Sequence, residues 1–178
     1  MKANVFTSAL IALLTLISCN SEPSLQKYFV ENTDKKDFIA LDVSSDILNL
    51  EKAKLSAEQN EALKSFDKMN ILAFKATDKN KAEFETERTK VNAILKNPKY
   101  QQLMKVGSGK DGASISYVGT DENITEFIVF ANRKENGFAV VRVLGNNMNP
   151  NNIMTLMSVL QKSNIDMEQL KPLQQLVK

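Results

Sequence analysis

Residues 124–144 read ITEFIVFANRKENGFAVVRVL. Two runs rich in β-branched and aromatic residues flank Arg133-Lys134-Glu135-Asn136-Gly137. Short apolar runs bounded by a polar, glycine-containing link read as strands of an antiparallel hairpin. Within Glu126–Ala131 and Phe138–Leu144 nearly every position is apolar. A strand with only one buried face alternates, so these two are expected to be covered on both faces.

Working back from this hairpin, Gln101–Val106 and Ala113–Val118 read as two further strands. Their connections, 107–112 and 119–123, are short and turn-rich, which implies a meander of four antiparallel strands. Before it, the spacing predicts a helix over 79–96, with Phe84, Val91, Ile94 and Leu95 on one face, ended by Asn97-Pro98. Glu83, Glu87 and Lys90 are expected to clothe its outer side. Asn70–Ala76 reads as a strand. Ser56-Ala57-Glu58-Gln59 forms a capping box for a helix to about Asp67, with Leu63 and Phe66 buried. Phe38–Val43 reads as another strand, with Ile39, Leu41 and Val43 facing the core. Ser45 would cap a turn carrying Ile47, Leu48 and Leu50. Ser24–Asn32 begins the domain as a short helix with Leu25, Tyr28 and Phe29 inward. On the other side, Asn149-Pro150 opens a Met-rich helix with Ile153, Leu156, Met157 and Leu160, and 166–177 is amphipathic but broken by Pro172. The expected class is α+β: about six mostly antiparallel strands with helices packed on one face, in one domain over residues 24–178.

The chain opens differently. Lys2 precedes an uncharged apolar stretch, Val5–Ile17, and polarity returns at Asn20-Ser21-Glu22. A charged start, a short apolar run and a small residue before a cleavage point describe an export signal, here residues 1–18. The run is shorter than the ~20 apolar residues of a transmembrane helix. Leu16-Ile17-Ser18-Cys19 has the form of a bacterial lipobox, in which the thiol takes a diacylglyceryl group and becomes the first residue of the mature chain. Cys19 is the only cysteine in the sequence, and it stands where this processing requires one. Two or three acyl chains hold a protein firmly on a membrane where one does not. The tether, 19–23, spans less than ~20 Å even when extended.

The formal net charge is +2, with no basic excess to suggest nucleic acid. The chain contains no histidine, which removes the commonest general base and metal ligand. With Cys19 acylated, no thiol remains for a disulfide or a zinc site. Gly107-Ser108-Gly109-Lys110-Asp111 fails as a phosphate loop, which needs Gly where Met104 stands and Ser or Thr where Asp111 stands. Ser65-Phe66-Asp67-Lys68 and Ser24-Leu25-Gln26-Lys27 both match Ser-x-x-Lys without its partner motifs. Asn146, Asn147, Asn149, Asn151 and Asn152 lack the interleaved carboxylates of a calcium loop. No cofactor, metal or catalytic set is expected.

The functional question lies with the apolar surplus of the meander. If helices cover one face, the other is covered by the C-terminal tail, a partner chain or an apolar ligand. Phe127, Phe138, Arg142, Met154 and Met157 are the candidate binding surface. Arg142 stands alone in its run, either paired with Glu126 across the sheet or turned to an anionic ligand.

The lipobox, Tyr100–Val106, the Ile115–Tyr117 strand, Ile124–Phe130 and Val141–Gly145 before a closing helix together resemble the domain-of-unknown-function family 4252 over most of residues 24–162. Its members are small envelope lipoproteins of Gram-negative bacteria. The resemblance implies no activity and no site residues. It implies an association with extracytoplasmic sigma factors and their anti-sigma partners, hence envelope sensing. Glu22 is the only acid directly after Cys19, whereas surface-exported lipoproteins often carry an acidic cluster there. The expected location is therefore the periplasmic face of the outer membrane, with the cell surface as alternative. The expected function is a lipid-anchored, non-catalytic binding or sensing module. A Ser/carboxylate hydrolase and a purely structural envelope component are the competing readings.

Overall fold

Six strands, β1 (Phe38–Ser44), β2 (Phe66–Lys75), β3 (Gln101–Gly107), β4 (Gly112–Thr120), β5 (Asn123–Arg133) and β6 (Gly137–Met148), form one sheet in the order β1-β2-β6-β5-β4-β3. Every neighbouring pair is antiparallel. The computed structural model describes residues 22–44, 55–107, 111–151 and 155. The leader, Cys19, the turn carrying Ile47, Leu48 and Leu50, and the stretch 156–178 lie outside the described residues.

Strands β3 to β6 are the expected meander, and β6 then pairs with β2, so the sheet closes around a central trio β2, β6 and β5. Phe38, Phe74 and Phe138 stand in register across β1, β2 and β6. Their rings touch edge-on at 5.1 Å (Phe38–Phe74) and stacked at 5.6 Å (Phe74–Phe138). Phe84 and Phe130 close on Phe138 at 6.1 and 6.0 Å. Aromatic pairs at such separations add to their area burial. Two helices cover this row. Helix α1 (Leu25–Asn32) buries Leu25, Tyr28, Phe29 and Asn32, the i, i+3, i+4, i+7 stripe of an amphipathic helix. The third helix, α3 (Lys81–Leu95), buries Phe84, Glu87, Val91 and Ile94.

The second helix, α2 (Ala57–Lys64), opens with the expected capping box: the Gln59 N–H donates to Ser56 Oγ and the Ser56 N–H to Gln59 Oε1. It stops at Lys64, short of Asp67, because Phe66 already belongs to β2. The reason is that β6 runs past Leu144 to Met148 and supplies Gly145 as the strand partner of Phe66. Ala62 of α2 packs with Phe66, Met69 and Val143. Met69 and Val143 alternate with the residues beneath α1 and α3, so α2 meets the opposite face of the sheet.

That opposite face is apolar from edge to edge. It carries Leu41, Ile71, Val141, Val129, Ile115 and Met104 in a continuous row of paired or adjacent positions from β1 to β3. Ile39, Leu41 and Val43 share this face, while Phe38 joins the helix side. Both faces of β2, β5 and β6 are therefore apolar, as their sequence requires.

Gly137 starts β6 with φ +123, and a Cβ there would sit 1.9 Å from the Phe74 carbonyl oxygen, so the hairpin turn fits against β2 only with glycine. Phe74 is wholly enclosed. Phe74→Ala is expected to cost about 3–5 kcal/mol, whereas Leu103→Ser, at an exposed position, should change stability by about 0.5 kcal/mol or less. Urea midpoints check this; equal effects would show that the aromatic row is not the core.

Candidate functional site

Arg142 lies on the helix side of β6, opposite Asn70 of β2 and Ile128 of β5, and is 4% exposed. Its Nε donates to Glu126 Oε1 at 2.6 Å, its Nη1 donates to Gln26 Oε1 of α1 at 2.7 Å, and its guanidinium lies 5.2 Å from the centre of the Phe29 ring. Glu126 is also buried. The Leu25 N–H, in the first turn of α1, donates to the Tyr100 hydroxyl at 3.0 Å. Burial pushes the Tyr100 hydroxyl above its ordinary pKa. The Gln26 amide and the Phe29 ring thus fasten α1 to Arg142 of the sheet, the Leu25 N–H ties it to the α3–β3 turn, and the ion pair with Glu126 holds Arg142 in place between β6 and β5. The cross-sheet partner expected for Arg142 is the one it has, and the enclosed guanidinium faces α1.

A second polar cluster joins α1 to α3. The Tyr28 hydroxyl donates to Glu87 Oε2 at 2.8 Å, and Lys90 Nζ donates to Glu87 Oε1 at 2.7 Å. Glu87 is 4% exposed, which corrects the expectation that it clothes the outer side of the helix. It is drawn inward because the buried Tyr28 hydroxyl needs an acceptor. Burial, and then the hydrogen bond to Glu87, push the Tyr28 hydroxyl far above the usual phenol range, so it acts as a donor at physiological pH. A groove of about 520 Å³ opens beside this cluster between Pro23, Tyr28, Lys90 and Ile94.

Among the described residues, those expected to form one binding surface do not come together. Phe127 is fully buried on the α2 side of the sheet with Tyr117, Ile124 and Met148. Phe138 is buried in the aromatic row, and Arg142 is buried beneath α1. In strands that are apolar on both faces the largest side chains go to the core. Met154 and Met157 lie outside the described residues.

The exposed apolar side chains are elsewhere. All seven residues of β3 are exposed, and Leu103, Met104 and Val106 are 49%, 49% and 52% exposed. Sequence reasoning missed them because QQLMKV looks like an ordinary half-buried strand. The signal that could have found them is position: the first strand of a meander that follows a helix stands at the sheet edge unless a later strand pairs with it. An unpaired, apolar edge is a liability unless something covers it.

Both Ser-x-x-Lys serines serve helix ends. Ser24 Oγ accepts from the Lys27 N–H at 3.3 Å, and Ser65 Oγ donates to the Ala62 carbonyl at 2.7 Å. Among the described residues no group of three or more Asp, Glu, His or Cys side chains is placed to hold a metal, and no helix is long and apolar enough to cross a membrane.

Removing one partner of an enclosed ion pair strands the other, at about 3–5 kcal/mol, whereas replacing both with apolar groups is often neutral. Arg142→Met and Glu126→Leu should therefore each lower stability more than the double variant does. Urea titration of the three proteins checks the order; additive losses would contradict the coupling.

No curated protein and no solved structure matches the chain. The family described as Domain of unknown function (DUF4252) matches residues 28–156, from Tyr28 in α1 through the whole sheet. Its span takes in Arg142, Glu126 and the exposed β3 edge, and on that extent the chain belongs to the DUF4252 family.

Proposed function

We propose that this protein is a lipid-anchored envelope module that works by binding rather than by chemistry, held through Cys19 at the periplasmic face of the outer membrane. The observation that carries the binding half is the concentration of exposed large apolar side chains, Leu103, Met104 and Val106, on one unpaired edge strand. An edge of this kind gains free energy when another surface covers it. The anchor half is supported by Leu16-Ile17-Ser18-Cys19 after an uncharged apolar run. The capping roles of Ser24 and Ser65 support the non-catalytic half, since Ser24 Oγ accepts from the Lys27 N–H and Ser65 Oγ donates to the Ala62 carbonyl at a helix end. The association with sigma and anti-sigma partners implied by the family resemblance supports a role for the module in envelope sensing.

Full-length protein expressed with labelled palmitate should take up label and remain in washed membranes, and Cys19→Ser should do neither. A Cys19→Ser protein that still labels would overturn the anchor. Turnover of ester, peptide, glycan or phosphate substrates, lost in Ser65→Ala, would overturn the binding reading.

A further inference from the structure

On the helix side of the sheet, α1 and α3 leave a cleft of about 130 Å³ uncovered beneath β3 and β4. Register places Gln102 opposite Ser116 and Lys105 opposite Ser114, on one face of the two strands. Lys96 and Asn92, at the end of α3, close the cleft from the other side. The lining residues thus include two lysines, three amides (Asn92, Gln102 and Asn132) and two serines, and no carboxylate. Among the described residues neither Lys96 nor Lys105 belongs to an ion pair. Converging cations and neutral donors without a carboxylate form a site for an anion with several acceptor oxygens.

Two further observations say where that anion sits. Met104 and Val106 project from β3 on the side opposite Lys105, so the exposed edge presents apolar groups above and cations below. The α3–β3 turn also receives the tether: Asn97 Nδ2 donates to Glu22 Oε2 at 3.2 Å. Glu22 follows Cys19 by three residues, a reach of about 10 Å when extended. Lys99 stands in the same turn, 5.7 Å from the Tyr100 ring centre. At this end Glu22 and Asp121 are engaged, accepting from Asn97 and from the Tyr117 hydroxyl.

We propose that the β3 edge is the surface this domain lays on its bilayer, and that the cleft between Lys96 and Lys105 takes the phosphate of an anionic phospholipid headgroup. The proposal rests on the lipid-anchor reading for the nearness of the membrane. Apolar groups that enter the interface beside lysines that meet anionic headgroups are the two contributions that hold peripheral proteins on membranes.

The test uses the chain from residue 19 onward with Cys19→Ser, so that contact is measured without the anchor. Cosedimentation should show binding to vesicles of phosphatidylglycerol and phosphatidylcholine, weakened by salt, and little binding to phosphatidylcholine alone. Lys96→Glu with Lys105→Glu should weaken it about tenfold or more. Met104→Ser with Val106→Ser should also weaken it, with urea midpoints confirming that both variants fold. Equal binding to neutral vesicles, or no effect of the charge reversals, would overturn the proposal. Inorganic phosphate that shifts cleft resonances without any vesicle binding would overturn the lipid source. A dimer that dissociates on Met104→Ser with Val106→Ser, without vesicle binding, would give the edge to a second copy instead. Failure of palmitate labelling in the wild-type chain would remove the anchor alone, and it is read separately.

Discussion

The contact between Phe38, Phe74 and Phe138 on three adjacent strands is the constraint that the remaining structure obeys. A one-residue slip of β2 would turn Phe74 to the opposite face and bring Ala73 beneath α3. The stacked Phe74–Phe138 pair therefore sets the long-range pairing of β2 with β6, which no local turn can set. Gly137 reinforces it, because the β5–β6 turn lies against the Phe74 carbonyl where no side chain fits. Once that register holds, α1 and α3 have one place to bury their aromatic stripes, and Arg142 arrives beneath α1, within reach of Gln26.

The two ends of the sheet are treated differently. Around β2, β6 and β5 both faces are apolar, the helix side is enclosed, and α1 is attached by directional polar bonds as well as by packing. Such bonds give α1 a single orientation, and the chain leads from it through Glu22 towards Cys19. At β3 the enclosure ends. The strand has one paired edge and exposed Leu103, Met104 and Val106, and on the helix side it carries Gln102 and Lys105 beside Ser116 and Ser114 of β4, where the central strands carry aromatic groups. A bulge between Gln102 and Met104 interrupts the β3–β4 ladder, a feature that discourages another strand from adding to the edge. The edge therefore favours a soft surface over an added strand, consistent with a bilayer.

Much of this architecture was legible in the sequence. The meander followed from apolar runs separated by turn residues, and the capping box at Ser56 located α2. The Arg142–Glu126 pair was legible because opposite charges stood in two apolar runs on neighbouring strands. Three things were not. The boundary at Phe66 depended on Gly145, a partner far along the chain. The burial of Glu87 depended on a tyrosine in another helix. The candidate surface failed at Phe127 and Phe138 because large apolar residues in two-sided strands become core, while the exposed set lay in a strand whose edge position is decided by topology and not by its own residues.

The central claim is the proposal that this domain, anchored through Cys19, presents its β3 edge to a bilayer. Amide hydrogen exchange of the lipidated protein, on anionic vesicles and in mild detergent, measures this directly. The account predicts that the bilayer slows exchange in Gln101–Gly107 and in the α3–β3 turn, while the outer side of α3 around Glu85 exchanges equally in both. Protection of the α3 outer side with β3 unchanged would contradict it.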